Sequence, residues 1–211
     1  MTDLKDQILD AALMHVVFDG WSEATLTAAI ADTGANEAEA RALFPKGAVD
    51  LAMGFHRRGD DAMVAALTPA ALAGMKIREK ITHAIRLRLE LMELDKEAVR
   101  RGTTLFALPT HAGEGARALW ETADKIWTAI GDTSEDHNWY TKRMILSGVY
   151  SSTVLFWLGD QDPNAQATWS FLDRRIENVM QFEKAKAQFL GKDRELPSLT
   201  RFLGRLRYPS R

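Results

Sequence analysis

Ile8-Leu9-Asp10-Ala11-Ala12-Leu13-Met14-His15-Val16-Val17 places its strongest apolar residues at 8, 9, 12, 13, 16 and 17. That i, i+1, i+4, i+5 spacing lays one apolar stripe along a helix. Gly20 is the expected stop, because glycine enters a left-handed C-cap at low cost. Downstream, Thr25 or Thr27 is expected to cap a short second helix carrying Leu26 and Ile30. Thr33-Gly34 breaks that helix, Glu37 to Leu43 forms a third, and Pro45 with Gly47 precedes a fourth containing Val49, Leu51, Ala52 and Phe55. Beyond Thr68-Pro69, residues 70–75 read as a joint. Ile77, Ile81, Ile85, Leu89 and Met92 then recur at helical spacing, and Leu108-Pro109 makes a corner. Further helices are expected over 115–130, 135–158 and 164–190. With no alternating period-2 run between turn signals, the chain reads as all-α.

Composition bounds the remaining possibilities. The 211 residues are 46% apolar and 27% charged, a balance that a packed domain needs and a disordered chain lacks. Cysteine is absent, which removes disulfides, thiolate metal sites and thiol nucleophiles. No basic region followed by an apolar stretch opens the sequence, so the expectation is a bacterial cytoplasmic protein or a processed mature form. The uncharged run 144–159 falls short of the roughly 20 residues that span a bilayer, and it reads as a buried helix. The expected organisation is a three-helix unit over 1–67, a helical body over 68–191 and a tail over 192–211.

The first quarter of the chain resembles the TetR family of regulators. The resemblance rests on Ile8 to Leu13, Phe18-Asp19-Gly20-Trp21, Ala28-Ala29-Ile30-Ala31, Gly34 and Leu43-Phe44-Pro45-Lys46-Gly47. It implies a TetR-like fold, with an N-terminal helix-turn-helix and an all-α ligand-binding and dimerisation body. Charge argues against carrying over the DNA function. The segment in the place of a recognition helix, Asn36-Glu37-Ala38-Glu39-Ala40-Arg41-Ala42-Leu43, holds two carboxylates and one arginine. Residues 1–60 carry ten acids and five bases, a net of −5. Phosphate contact gains its affinity from cations that displace counterions, and acids forfeit it. No nucleic-acid partner is expected; a ligand-responsive TetR-type repressor is the alternative reading.

Asp132-Thr133-Ser134-Glu135-Asp136-His137-Asn138-Trp139-Tyr140-Thr141-Lys142-Arg143 is the most distinctive stretch. Adjacent Trp139 and Tyr140 lie about 100° apart on a helix, so they cannot share one core line. At least one must reach the surface. This stretch, with Ile126-Trp127 before it and Thr168-Trp169-x-Phe171-Leu172-x-x-Arg175-Ile176 after it, is similar to the coenzyme Q biosynthesis protein 9 family. That resemblance implies a lipid-binding, TetR-like protein required for ubiquinone synthesis. It implies that the Asn-Trp-Tyr surface docks the diiron demethoxyubiquinone hydroxylase, which makes Ile126, Trp127, Asn138, Trp139, Tyr140 and Arg143 partner-binding candidates. It further implies a homodimer through the last long helices, peripheral to the inner membrane (on the matrix side in a mitochondrion).

Two apolar features fit that implication. Bulky side chains in the body and small residues along 144–158 suit a space for a lipid tail, with Leu105, Phe106, Met144, Leu155, Phe156 and Trp157 as expected contacts. The implied cargo is an isoprenoid quinone or related lipid, held by burial and needing no cofactor. In the tail, Leu199, Phe202, Leu203 and Leu206 share one helical face, while Arg201, Arg205 and Arg207 take others. Residues 196–211 hold four arginines and no acid, which suits an amphipathic helix at a membrane interface. Catalytic and metal-binding patterns are missing. None of His15, His56, His83, His111 or His137 follows a Glu by three residues, as a diiron bundle requires. Gly113-Glu114-Gly115 lacks the strand context of a dinucleotide loop. The chain is expected not to be an enzyme.

Overall fold

The structure, a computed structural model, describes residues 3–133 and 137–190. Among the described residues there are nine helices and no strand: α1 (Leu4–Asp19), α2 (Glu23–Thr33), α3 (Glu37–Leu43), α4 (Ala48–Ala66), α5 (Ile77–Glu90), α6 (Lys96–Ala107), α7 (Ala112–Ala129), α8 (His137–Gly159) and α9 (Gln166–Leu190). The described chain falls into two compact units, divided between Asp173 and Arg174. The tail candidates Leu199, Arg201, Phe202, Leu203, Arg205, Leu206 and Arg207 lie outside the described residues.

The N-terminal unit forms as the apolar spacing requires. Ile8, Leu9, Ala12 and Val16 are the buried stripe of α1, packed on Leu26, Ala29 and Ile30 of α2. Two local expectations need correction. Ser22, not Thr25 or Thr27, caps α2: its hydroxyl accepts the Thr25 N–H at 3.2 Å. Thr25 is instead buried and donates its hydroxyl to the Gly20 carbonyl at 2.6 Å. Gly20 does end α1 with φ of 65°, but its ψ of −170° lies outside the left-handed helical well. The left-handed cap belongs to Gly34, with φ 65° and ψ 15°.

Trp21 ties these first helices to α4 and α6. Its indole N–H donates to the Ala98 carbonyl of α6 at 2.9 Å, and its ring stacks at a tilt on Phe55, with centroids 5.2 Å apart. Helix α4 then runs beside α7, joined to it along its length by polar bonds. Lys46 meets Glu114, Arg57 meets Glu121 through both nitrogens, and Lys125 meets Asp61. At the centre sits a buried network. Asp60, fully buried, accepts from Arg88 of α5 at 2.8 Å and from the Thr122 hydroxyl at 3.0 Å. His56 Nε2 lies 2.8 Å from the Thr122 hydroxyl and 3.2 Å from the Ala118 carbonyl; the carbonyl can only accept, so a protonated Nε2 donates on this side and leaves the Thr122 hydrogen for Asp60. Burial holds the His56 imidazole below its ordinary pKa, against the opposing pull of Asp60.

Two longer expectations also change. The spacing that carried a helix through Met92 stops at Glu90, and Met92 is buried in the turn that follows. Its periodicity continued because a turn residue can face the same core. The 144–158 run is not buried all round in the single chain: Met144 is 66% exposed and Leu155 is 59% exposed. Gly115 accounts for the glycine-rich run that opens α7. A Cβ there would lie 2.9 Å from the Phe106 Cβ, so the glycine lets α6 and α7 approach closely.

Candidate functional site

Asp132, just after α7, and Lys142 and Arg143 of α8 meet beside α7. Asp132 is fixed first: its backbone N–H donates to the Trp127 carbonyl at 2.9 Å, and its side chain is 5% exposed. Lys142 reaches that carboxylate at 2.7 Å and lies over the Trp127 ring, 5.1 Å from its centroid. Arg143, 3% exposed, is held from several sides. It donates to Asp124 of α7 at 2.6 Å, to Asp132 at 3.4 Å and to the Trp139 carbonyl at 3.2 Å. One turn further, the Ser147 hydroxyl lies 3.3 Å from the Leu119 carbonyl.

This frame presents an aromatic cluster. The Arg143 guanidinium lies 4.0 Å from the centroid of the Trp139 ring, a cation–π contact from a group that cannot swing away. Trp139 meets Tyr140 edge-on, with centroids 4.7 Å apart and planes at 81°. Trp120 of α7 closes the group, 5.6 Å from Trp139 and 6.2 Å from Tyr140. Tyr140 is 60% exposed, Trp139 is half-buried, and Asn138 is exposed beside them. A rigid aromatic surface at a helix start, backed by a buried ion pair, is what protein docking uses: large contact area with few rotors left to freeze.

The six partner-binding candidates therefore sit at different depths. Asn138, Trp139 and Tyr140 reach the surface. Ile126 is fully buried and Trp127 is 9% exposed, so their side chains support the surface from below. The Trp127 indole N–H is buried with no hydrogen-bond partner. Arg143 is the clamp beneath Trp139. Trp120 is not among the sequence candidates; its i, i+4, i+7 spacing with Asp124 and Trp127 places it on their helical face and is the signal that joins it to the cluster.

The lipid candidates do not converge on one enclosed space. Leu105 and Phe106 are half-buried on α6. Trp157 is fully buried, and its indole donates to Glu93 at 2.8 Å. Met144, Leu155 and Phe156 lie on the outer side of α8, where Phe156 stacks on Phe171 at 4.5 Å. With exposed Gly148 between them, Met144 and Leu155 form a strip at i, i+4 and i+11. Among the described residues no cluster of His, Asp or Glu is arranged to hold a metal ion, and no helix is long and apolar enough to cross a membrane.

Helix α3 is the segment expected in the place of a recognition helix. Its one arginine, Arg41, is bonded to Glu37 at 2.9 Å, to Glu23 at 3.3 Å and to Thr27 at 3.2 Å. The hydrogen bond to Glu37, and then that to Glu23, raise the Arg41 pKa.

Comparison with known proteins agrees with this architecture. Residues 112–183 match the COQ9 family model, which takes in α7, α8 and the aromatic cluster. The chain is 29% identical over 192 residues to the mitochondrial ubiquinone biosynthesis protein COQ9 of Drosophila melanogaster, covering 89% of this chain and 59% of that protein. It is 31% identical to COQ9-A of Xenopus laevis and 28% identical to COQ9 of Homo sapiens, in each case over 84% of this chain and 58% of the relative. The chain thus spans about three-fifths of the length of these relatives. Among solved structures, a TetR transcriptional regulator from Nitrosomonas europaea superposes with a TM-score of 0.67 at 19% identity, covering 84% of this chain and 98% of that one. The all-α, TetR-like fold and the resemblance to coenzyme Q biosynthesis protein 9 are both borne out.

Proposed function

We propose that this chain is a non-enzymatic accessory protein of ubiquinone biosynthesis. It holds an isoprenoid quinone intermediate at the membrane and presents it to the diiron demethoxyubiquinone hydroxylase. The observation that carries the reading is the clamped aromatic surface of Trp120, Trp139 and Tyr140, which lies within the stretch matched to the COQ9 family. A helix start this aromatic and this exposed is costly in water unless a partner covers it. The hydroxylase docks there, with Tyr140 as the outermost anchor.

The apolar strip of Met144, Gly148, Leu155 and Phe156 on α8 supports the remaining parts of the proposal. A second copy of the chain packs on the last long helices, and the strip forms a wall for the prenyl tail. The tail segment 192–211 then keeps the dimer peripheral to the inner membrane. The engagement of Arg41 by three neighbours supports a scaffold role for the helix-turn-helix and weighs against the repressor alternative. Affinity capture of the purified hydroxylase tests the docking step. Tyr140→Ala should weaken capture about tenfold or more, the cost of losing a hot-spot aromatic, with helical circular dichroism unchanged. Capture at full strength by a folded Tyr140→Ala protein would refute the assignment.

A further inference from the structure

The corner between α4 and α5 follows the C-terminal end of α4, which runs parallel to α7, since Arg57 pairs with Glu121 and Asp61 with Lys125. Its chemistry differs from the rest of the surface. From residue 62 to residue 89 the sequence contains one acid, Glu79. That carboxylate is exposed and folds back on the start of its own helix, accepting the Lys76 N–H at 2.7 Å. Lys76 and Arg78 are exposed and Lys80 half-exposed, gathered in the first turn of α5. Between the first two cations stands Ile77, a large apolar side chain 51% exposed. The turn leading to it displays Pro69, Ala70 and Ala73 to solvent, while Leu72, 6% exposed, anchors it to the body. Exposed Val64, Ala65 and Ala66 at the end of α4 extend the same apolar margin.

Beside this corner α5 borders an open polar cleft of about 660 Å³. Its cations are Lys76, Arg78 and Arg86, and its carboxylates are Glu79, Glu90 and Asp173. Arg86 is already bonded to Glu90 and stacked over Trp169, so the cleft is balanced further along α5. By formal charge, the first turn of α5 sets Lys76, Arg78 and Lys80 against Glu79.

We propose that the α4–α5 corner is a contact with an anionic phospholipid surface, separate from the tail. Ile77 enters the boundary of the acyl region, and Lys76, Arg78 and Lys80 sit at headgroup phosphates. Charge complementarity selects the occupant. A cluster of cations around an exposed aliphatic side chain matches a bilayer interface, which offers phosphate above hydrocarbon. An acidic protein would satisfy the cations but give the isoleucine and the small apolar margin nothing continuous to enter.

The absence of cysteine allows a clean test on the full chain. An environment-sensitive fluorophore is attached to Ile77→Cys and, separately, to Leu94→Cys. Leu94 is wholly exposed beyond the far end of α5, and that helix is about 20 Å long. Vesicles of phosphatidylcholine, with and without phosphatidylglycerol, are the probe. On phosphatidylglycerol vesicles the dye at 77 should shift to the blue and escape an aqueous quencher, while the dye at 94 does neither. Triple reversal, K76E/R78E/K80E, should lower the vesicle partition coefficient about tenfold or more with helical content retained. Reversal of Arg201, Arg205 and Arg207 to Glu measures the tail on its own. The proposal is overturned by no shift at 77, by equal shifts at 77 and 94, by equal binding to pure phosphatidylcholine, or by a partition coefficient that responds to the tail reversal alone.

Discussion

Asp60→Ala removes the acceptor on which the buried junction of α4, α5 and α7 depends. Asp60 is fully buried and Arg88 is 3% exposed, so the guanidinium has no route to water when its carboxylate is gone. Arg88 keeps its bond to the His56 carbonyl at 3.0 Å, and Thr122 keeps the Ala118 carbonyl at 3.1 Å. The loss is therefore the uncompensated charge, about 3–5 kcal/mol for a broken buried pair. At about 2–4 °C per kcal/mol for a chain of this length, the melting temperature should fall by roughly 6–20 °C. Urea unfolding followed by circular dichroism gives the free energy directly, provided the slope stays at the wild-type value. The companion variant Asp60→Leu/Arg88→Met should recover most of the loss, because an apolar pair carries no desolvation cost. A single-variant loss below about 1 kcal/mol, or a double variant no more stable than the single, would refute the reasoning.

Three further outcomes follow from the same geometry. Gly59→Ala would place a Cβ 2.6 Å from the Arg88 guanidinium carbon, and with Arg88 held on Asp60 the overpacking should cost about 1–3 kcal/mol in urea unfolding. His56 should make stability depend on pH: burial lowers its folded pKa, so as pH falls below about 6.5 the unfolded chain takes up a proton that the folded chain refuses, and stability declines. His56→Gln should shrink the difference in urea midpoint between about pH 7.5 and pH 5.5; an unchanged difference would remove His56 as its source. Arg143→Met, unlike Tyr140→Ala, should lower both hydroxylase capture and thermal stability, because it removes the buried guanidinium that bonds Asp124 and lies against the Trp139 ring; a loss of capture with an unchanged melting temperature would contradict the clamp.

Local periodicity made the fold legible, and long-range pairing set the limit. The Thr33-Gly34 break and the span of α3 follow from neighbouring residues, and the structure places them as read. The α1 stripe holds at Ile8, Leu9, Ala12 and Val16, but Leu13 is half-buried and Val17 is exposed, because a 3.6-residue period carries the second members of the later pairs away from the buried face. The α2 cap was misplaced because Ser22 and Thr25 are both good caps; the choice depends on Thr25 being drawn inward to the Gly20 carbonyl. Asp60, Arg88 and Thr122 look like ordinary solvated positions in sequence. Their separations of 28 and 62 residues hide a network that only the packing of three helices creates. At the aromatic cluster the adjacency of Trp139 and Tyr140 requires one of them at the surface, and Tyr140 is that residue. Trp120 stayed hidden because its partners lie across a turn. The apolar character of 144–158 was plain, but hydropathy does not say which side of a helix has a neighbour, and Met144 and Leu155 face outward.

The central claim is that the protein carries an isoprenoid lipid to the hydroxylase. Mass spectrometry of solvent extracts from the purified 211-residue chain tests it most directly. The account predicts an isoprenoid quinone, or a prenylated precursor, enriched over the extract of an unrelated helical protein purified in parallel. An extract with no isoprenoid lipid above that control, from a chain that also binds no added quinone analogue, would contradict it.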